Sequence, residues 1–495
     1  MLSLTIFLPL LSGLVLLVLP GLRPPLVRRL ALAGALATLV LAVLLWSGFD
    51  PATTGLQWRE TWPWIPSIGA CYDVALDGIS LSLLMLTAVL LVAVMMYVLP
   101  EHGERTRLHA FLFLLLGTGL MGVFASRDLL LFYLFFEIGL VPMYFIIGIW
   151  GGERRSYAAM KFFLYTRAGS LAMLLGFLAL YLSMTPHTFS LPAIVEARPL
   201  ANSPGAAAAV FFALLFGFGV KLPAFPLHNW LPDAHVEAPT EGSVVLAGLQ
   251  LKMGGYGMLA ILLPAMPGTV ARFAWFVIPL ALVSLLYGSL AALGQRDLKR
   301  LVAYTSVNHM AFVLLGLPVA ALGMVGGNFD LARLAVNGAV VQMVSHGLLT
   351  GAMFLMIGML QHRAGTRDID RFGGLLGRLP GYAGLFAILA FGSLGLPGLS
   401  GFIAEFQVIG AGLAVDIWIG AVAVLGLVIT TGLYLHMLSR LLLGKPPEAM
   451  PDLSPMALHE SWSAGTLAAL SVLIGVLPGT IMPVIATASA ALAGS

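Results

Sequence analysis

The chain has 495 residues, 60% of them hydrophobic and only 9% charged, with a formal net charge of +3. An ordinary soluble domain carries roughly 25% charged residues, so a water-soluble globule, a disordered chain and a coiled coil are all excluded. The single cysteine, Cys71, excludes an internal disulfide and any iron–sulfur or thiolate zinc site built within this chain.

Apolar runs predict fourteen membrane spans, at about 4–20, 29–47, 81–99, 108–125, 128–150, 167–185, 207–235 (broken), 241–263, 272–292, 301–321, 333–360, 381–411 (broken), 417–439 and 465–488. At about 22 residues each they use about 308 residues, which leaves short loops and no soluble domain. The opening run MLSLTIFLPLLSGLVLLVLPGL lacks a basic n-region and a small-residue cleavage site, so it reads as the first span and not as a removable signal. The loop 48–80 carries Trp58, Trp62 and Trp64, residues suited to the membrane interface. Asp77 opens the third span and reads as its cap. The run 333–360 is long and partly polar, which suggests a kink or a tilt.

Loop charges set the orientation. Arg59, Arg127, Arg198, Arg272 and Arg333 fall on the side of the termini. Eighteen basic residues fall on the other side, among them Arg28, Arg154, Lys161, Arg296, Lys299 and Arg367. The positive-inside rule then puts the eighteen in the cytoplasm and both termini outside.

Four charges sit where the bilayer should be. Glu137 lies nine residues past Asp128, about 14 Å along a helix. Lys221 lies deep in span seven, Lys252 about three turns into span eight, and Glu405 in span twelve. Each costs at least a few kcal/mol unless it pairs, meets water or carries ions. A static Glu–Lys pair that only locks helices would account for one such couple, but not for four charges spread along the chain. His309 and His346 also fall mid-span. A lone histidine is ordinarily a packing residue, and a pair could ligate haem. Haem would leave the four charges unexplained, whereas imidazole can pass a proton between its two nitrogens. Asp233, Glu237 and Glu241 follow span seven on the cytoplasmic side and read as a solvated face, with a proton entrance as the alternative. No phosphate-binding loop, nucleophile elbow or dinucleotide fingerprint stands in a credible context.

Span seven is interrupted at KLPAFPLHNWLP and span twelve at SLGLPGLSGF. Interrupted helices survive in a bilayer only inside protein or along a wet cavity. The breaks are five spans apart, so the two spans run in opposite directions. This predicts an all-α polytopic membrane protein with an inverted repeat of two five-helix bundles, spans 4–8 against 9–13. The chain divides accordingly into 1–107 (spans 1–3 and the outer loop), 108–263 and 264–440 (the two repeats) and 441–495 (span 14).

The stretches FGFGVKLPAFPLHNWLPDAHVEAPTEGSVVLAGLQLKMGGYG, DLLLFYLFFEIGLVPMYF, LKRLVAYTSVNHM and LPGLSGFIAEF resemble the antiporter-like subunits of respiratory complex I, across nearly the whole chain. That family also includes the large subunits of multisubunit sodium/proton antiporters and membrane subunits of related hydrogenases. Glu405 stands where L-type and N-type subunits carry lysine, which resembles the M type. The resemblance implies a proton-translocating membrane-arm subunit of a proton-pumping NADH-quinone oxidoreductase. By it, Glu137 and Lys221 match a buried ion pair, Lys252 the central lysine, Glu405 the exit-side acid, and His309 and His346 polar residues of the central axis. It implies no cofactor in this chain, with FMN, iron–sulfur clusters and quinone in partner subunits. L-type and N-type neighbours and the lipid bilayer are the partners it implies, in a bacterial inner membrane, with no nucleic acid. An antiporter or hydrogenase subunit, or a pure scaffold, are the rival readings.

Overall fold

The computed structural model describes residues 1–100, 105–448, 450 and 453–493. The chain is a helical bundle with one small hairpin. Its principal helices are α1 (Leu2–Val18), α2 (Pro24–Ser47), α3 (Gly78–Tyr97), α4 (Thr106–Ala125), α5 (Leu129–Ile138), α6 (Leu140–Trp150) and α7 (Arg155–Leu182). They continue as α8 (Pro204–Lys221), α9 (Leu231–Glu237), α10 (Thr240–Ala265), α11 (Ala274–Leu293), α12 (Leu298–Val325) and α13 (Phe329–Ala364). The last five are α14 (Pro380–Ser393), α15 (Ser400–Val415), α16 (Ile417–Leu442), α17 (Leu458–Val476) and α18 (Met482–Ala493). Among the described residues, eleven helices are long and apolar enough to cross a membrane, with α5 and α6 taken as one. Four shorter apolar helices, α1, α14, α15 and α18, accompany them.

Both predicted breaks are present. α8 ends at Lys221 and the chain resumes as helix at Leu231; α14 ends at Ser393 and α15 begins at Ser400. The second break is close-packed. A Cβ on Gly401 would lie 2.1 Å from the Gly392 carbonyl oxygen, so only glycine lets the two half-helices meet.

The run at 333–360 is one unbroken helix, α13, of 36 residues. Two expectations need correction. The run at 465–488 is two helices, α17 and α18, because Pro478 cannot continue the first. The loop 48–80 contains an antiparallel hairpin, β1 (Gln57–Ile65) against β2 (Ala70–Leu76). Trp62 and Trp64 remain largely exposed on it, as interfacial residues should.

Polar residues seal the loop ends. Asp77 caps α3, accepting from the Ser80 amide at 2.8 Å, and holds Arg127 at 3.0 Å. Asp128 caps α5 through the amides of Leu130 and Leu131. On the face opposite the N-terminus, the Gly152 amide donates to the Glu237 carbonyl, Lys299 to the Ala238 carbonyl and Arg367 to the Val236 carbonyl. The loops there are thus tied to the segment that follows the first broken helix. α10 and α13 are buried throughout their apolar windows, whereas α2 is only 28% buried, so the first pair forms the centre and α2 the periphery.

Candidate functional site

Lys252 sits in α10 between two wider π-helical turns, Leu246–Gln250 and Met258–Leu262. Such turns leave carbonyls free of the regular ladder and recur at functional sites. Lys252 Nζ, fully buried, donates to the Ala247 carbonyl at 2.5 Å and meets His346 Nδ1 at 2.6 Å. An ammonium can only donate, so with Lys252 charged the His346 Nδ1 accepts.

From His346 the polar groups continue sideways through the bundle. The His346 and His309 rings are T-shaped, with centroids 5.7 Å apart. His309 Nδ1 lies 3.3 Å from Glu405 Oε1, with Gln342 Nε2 at 3.4 Å from the same nitrogen. Tyr434 Oη lies 3.5 Å from His309 Nε2. His346 Nε2, Gln342 Oε1 and Glu405 Oε2 spend no hydrogen bond on protein. A cavity of about 10 Å³ lies among His309, Gln342, His346 and Glu405, at the lower limit for one water. Four of the six candidate residues are therefore brought into one run of titratable side chains: Lys252, His346, His309, Glu405.

Lys221 and Glu137 are arranged otherwise. Glu137 Oε2 takes Arg167 Nη1 at 2.5 Å, with Tyr133 also bonded to Arg167 at 3.3 Å. Lys221 Nζ donates to Gln250 Oε1 at 3.3 Å and lies 5.6 and 5.2 Å from the ring centroids of Phe136 and Phe162. The buried Glu137–Lys221 pair is thus not closed here, and Arg167 takes the partner's place. Lys221 is the last residue of α8, where the negative end of the helix dipole favours a cation. Gln250 ties Lys221 to the α5–α6 break next to Glu137: it accepts from Lys221 and donates to the Gly139 carbonyl at 2.6 Å.

Sequence reasoning missed Arg167, Gln250, Gln342 and Tyr434. Arg167 is one of the eighteen basic residues that the loop tally assigns to the cytoplasmic side, yet it lies twelve residues into α7. The reading of Glu241 as solvated is also overturned, since it is 4% exposed and bonded to His109 at 2.8 Å. Asp233 pairs with Lys161 and Arg300, and Glu237 accepts from the Arg154 amide. Among the described residues no group of three or more metal-ligating side chains occurs.

Residues 126–430 match the family model described as NADH:quinone oxidoreductase/Mrp antiporter, TM. The NADH-quinone oxidoreductase subunit M of Rhodobacter capsulatus is 39% identical, over 98% of this chain and 94% of its own length. A chain of the respiratory complex I of Thermus thermophilus superposes with a TM-score of 0.86 at 31% identity, covering all of both chains. A chain of the Mrp complex of Dietzia sp. shares the fold, with a TM-score of 0.86 at 22% identity over 99% of this chain and 97% of that one.

Proposed function

The chain belongs to the NADH:quinone oxidoreductase/Mrp antiporter family of membrane subunits, and from that premise we propose how it works in a membrane. It is a multi-pass, proton-translocating membrane-arm subunit of NADH-quinone oxidoreductase, and other complex I subunits are its partners. The enzyme's redox chemistry belongs to those partners. This chain holds and moves protons. Its neighbours are the L-type and N-type subunits, and it lies in a bacterial inner membrane with both termini on the periplasmic side. The asymmetry of basic loops supports that orientation.

The observation that carries the reading is the buried run from Lys252 through His346 and His309 to Glu405. Each member can hold or release a proton, and successive members are in contact or within reach of one bridging water. Burial disfavours the charge of each group and pairing favours it, so a change in pairing at one end displaces a proton along the run. Glu137 and Lys221 form the loading end. When Glu137 leaves Arg167 and closes on Lys221, the lysine keeps its proton. When the Glu137–Arg167 pair is made, as here, Lys221 is left with Gln250 and yields its proton toward Lys252. Glu405 is the release end, on the side of the termini. Residues 108–263 and 264–440 act as the two inverted halves, flanked by 1–107 and 441–495.

Gentle detergent extraction should bring flavin, iron–sulfur clusters and NADH oxidation together with this chain. A redox-free assembly that exchanges sodium for protons would overturn the assignment. In the reconstituted complex, Glu137→Gln and Lys221→Ala should lose NADH-driven proton pumping while the complex assembles. Full pumping in both would sink the route.

A further inference from the structure

At the end of the bundle opposite the N-terminus, three helices deliver a second buried polar chain: Arg28 from α2, His109 from α4 and Glu241 from the first turn of α10. All three residues are at most 4% exposed. Arg28 Nη1 stands 2.8 Å from His109 Nδ1, and His109 Nε2 stands 2.8 Å from Glu241 Oε1. A guanidinium has no acceptor, so Nδ1 must accept. The ring is therefore neutral, carries its proton on Nε2 and gives it to the carboxylate. A positive charge, a neutral imidazole and a negative charge stand in line.

The ring is held by Trp150, edge-on with centroids 4.9 Å apart, and by Phe113 at 4.8 Å. Arg28, His109 and Glu241 line a cavity of about 540 Å³, with Glu237, Lys299 and Arg367. Tyr97 and His362 complete the titratable groups on its wall. Lys299, fixed to the Ala238 carbonyl, is within electrostatic range of Glu241. This cavity is large and polar, unlike the small cavity beside Glu405.

We propose that Arg28, His109 and Glu241 form a proton-operated latch that loads the path to Lys252 from the loop side. It rests on the proton-translocating reading above. A proton from the cavity adds to His109 Nδ1, and the Arg28 Nη1–H···Nδ1 bond breaks, because the ring now presents an N–H to an N–H. The Nε2–H bond then breaks and its proton goes to Glu241 Oε1. This leaves a neutral imidazole with the proton on Nδ1 and a neutral carboxylic acid. One proton has moved inward, and Arg28 has been turned out of line. Arg28 cannot return to Nδ1 until that nitrogen is bare again, so the latch stays open until Glu241 has passed its proton on and the ring has reset. Glu241 and Arg28 thus alternate as the groups that set the imidazole's proton. Arg28 is a positioning residue, while His109 and Glu241 carry the proton. The next buried titratable ring is His235, stacked on Phe354 and within electrostatic range of both Lys299 and Lys252.

The test uses the intact complex in liposomes, with NADH oxidation and proton uptake followed across the neutral and alkaline range. Glu241→Gln and His109→Gln should lose this subunit's share of proton uptake per NADH oxidised. Arg28→Gln removes the latch and keeps both carriers. It should lower uptake less than either carrier variant does and move the alkaline limb of the pH profile to higher pH, since the ring no longer takes its proton against a neighbouring cation. A static, helix-tying triad would leave the pH profile of every assembled variant at the wild-type position, and that result overturns the proposal. If Glu241→Gln fails to assemble, Glu241→Asp, which keeps the charge but draws it back from Nε2, is scored by the same two outcomes. Failure here is separable from failure of the functional reading, which is decided by Glu137→Gln and Lys221→Ala.

Discussion

Arg167 Nη1 lies 2.5 Å from Glu137 Oε2, which makes the partner of the mid-membrane glutamate an arginine on α7 and not the lysine on α8. The pair is half-open to the outside, with Arg167 41% and Glu137 17% exposed at their side chains. Removing Arg167 leaves Glu137 with the Tyr133 hydroxyl and with Lys221 as its one remaining cation within electrostatic range.

Arg167→Ala should therefore favour the closed Glu137–Lys221 state and slow NADH-driven proton pumping, with the assembled complex retained. Arg167→Lys should fall between it and wild type, because an ammonium serves one carboxylate oxygen without the guanidinium's planar fork. Proton uptake by the reconstituted complex measures both. Equal pumping in wild type and Arg167→Ala would assign the pair to packing alone.

Lys252→Met should separate stability from activity. It deletes a fully buried charge but leaves His346 Nδ1 and the Ala247 carbonyl without a donor, at roughly 1–3 kcal/mol for each unmet group. Replacing a buried cation with an apolar chain of similar length offsets much of that. The complex should assemble with its thermal midpoint little changed, while proton uptake through this subunit is lost.

Gly395 has a left-handed φ of +81°, and a Cβ there would stand 2.5 Å from Glu405 Oε2. Gly395→Ala should cost about 1–2 kcal/mol in backbone strain and push the carboxylate away from His309. Pumping should fall with a smaller loss of stability than in Gly401→Ala. There the new methyl meets a backbone carbonyl, and roughly 1–3 kcal/mol or more is expected. Thermal unfolding and proton uptake, measured together, rank the two.

Outside the membrane, Glu60 supplies a pH test. Burial works against its charge, but hydrogen bonds from the Met1 ammonium and Ser3 outweigh it and hold the carboxyl below its ordinary value of 4.5. A lowered folded value means that the stabilisation is present above 4.5 and is lost as the pH falls below it through the folded value. Protection factors for hydrogen exchange at the start of α1 and along β1 should fall in that window. In Glu60→Gln they should be lower at neutral pH and unchanged by acidification.

Much of the site was legible because charge is so scarce in this chain. Lys252, His309, His346 and Glu405 stood out against apolar surroundings, and the fold brings them together. The two breaks were equally plain, since proline and glycine act locally. What failed was pairing, because it depends on which faces of distant helices meet. Arg167 looked like one more basic loop residue, since span seven's neighbour α7 begins twelve residues earlier than its apolar run suggests. Glu241 looked solvated because only the approach of α4 supplies His109. The hairpin was hidden by Pro63, which interrupts the pattern of its first strand, and the polar residues of α13 were hard to place because only the fold shows that His346 and Gln342 face a polar core.

The unbroken length of α13 has a mechanical side. His346 is the eighteenth of its 36 residues, the midpoint of a rod about 54 Å long. A rigid rod that rocks about its middle moves its ends by ångströms and its centre hardly at all. Tilting imposed on either end by a neighbouring subunit would therefore die out before reaching the imidazole. Only twisting about the long axis, or sliding along it, displaces His346, and either motion alters its distance to Lys252 and to His309 in one stroke. The helix behaves as an axle, deaf to bending and responsive to torque.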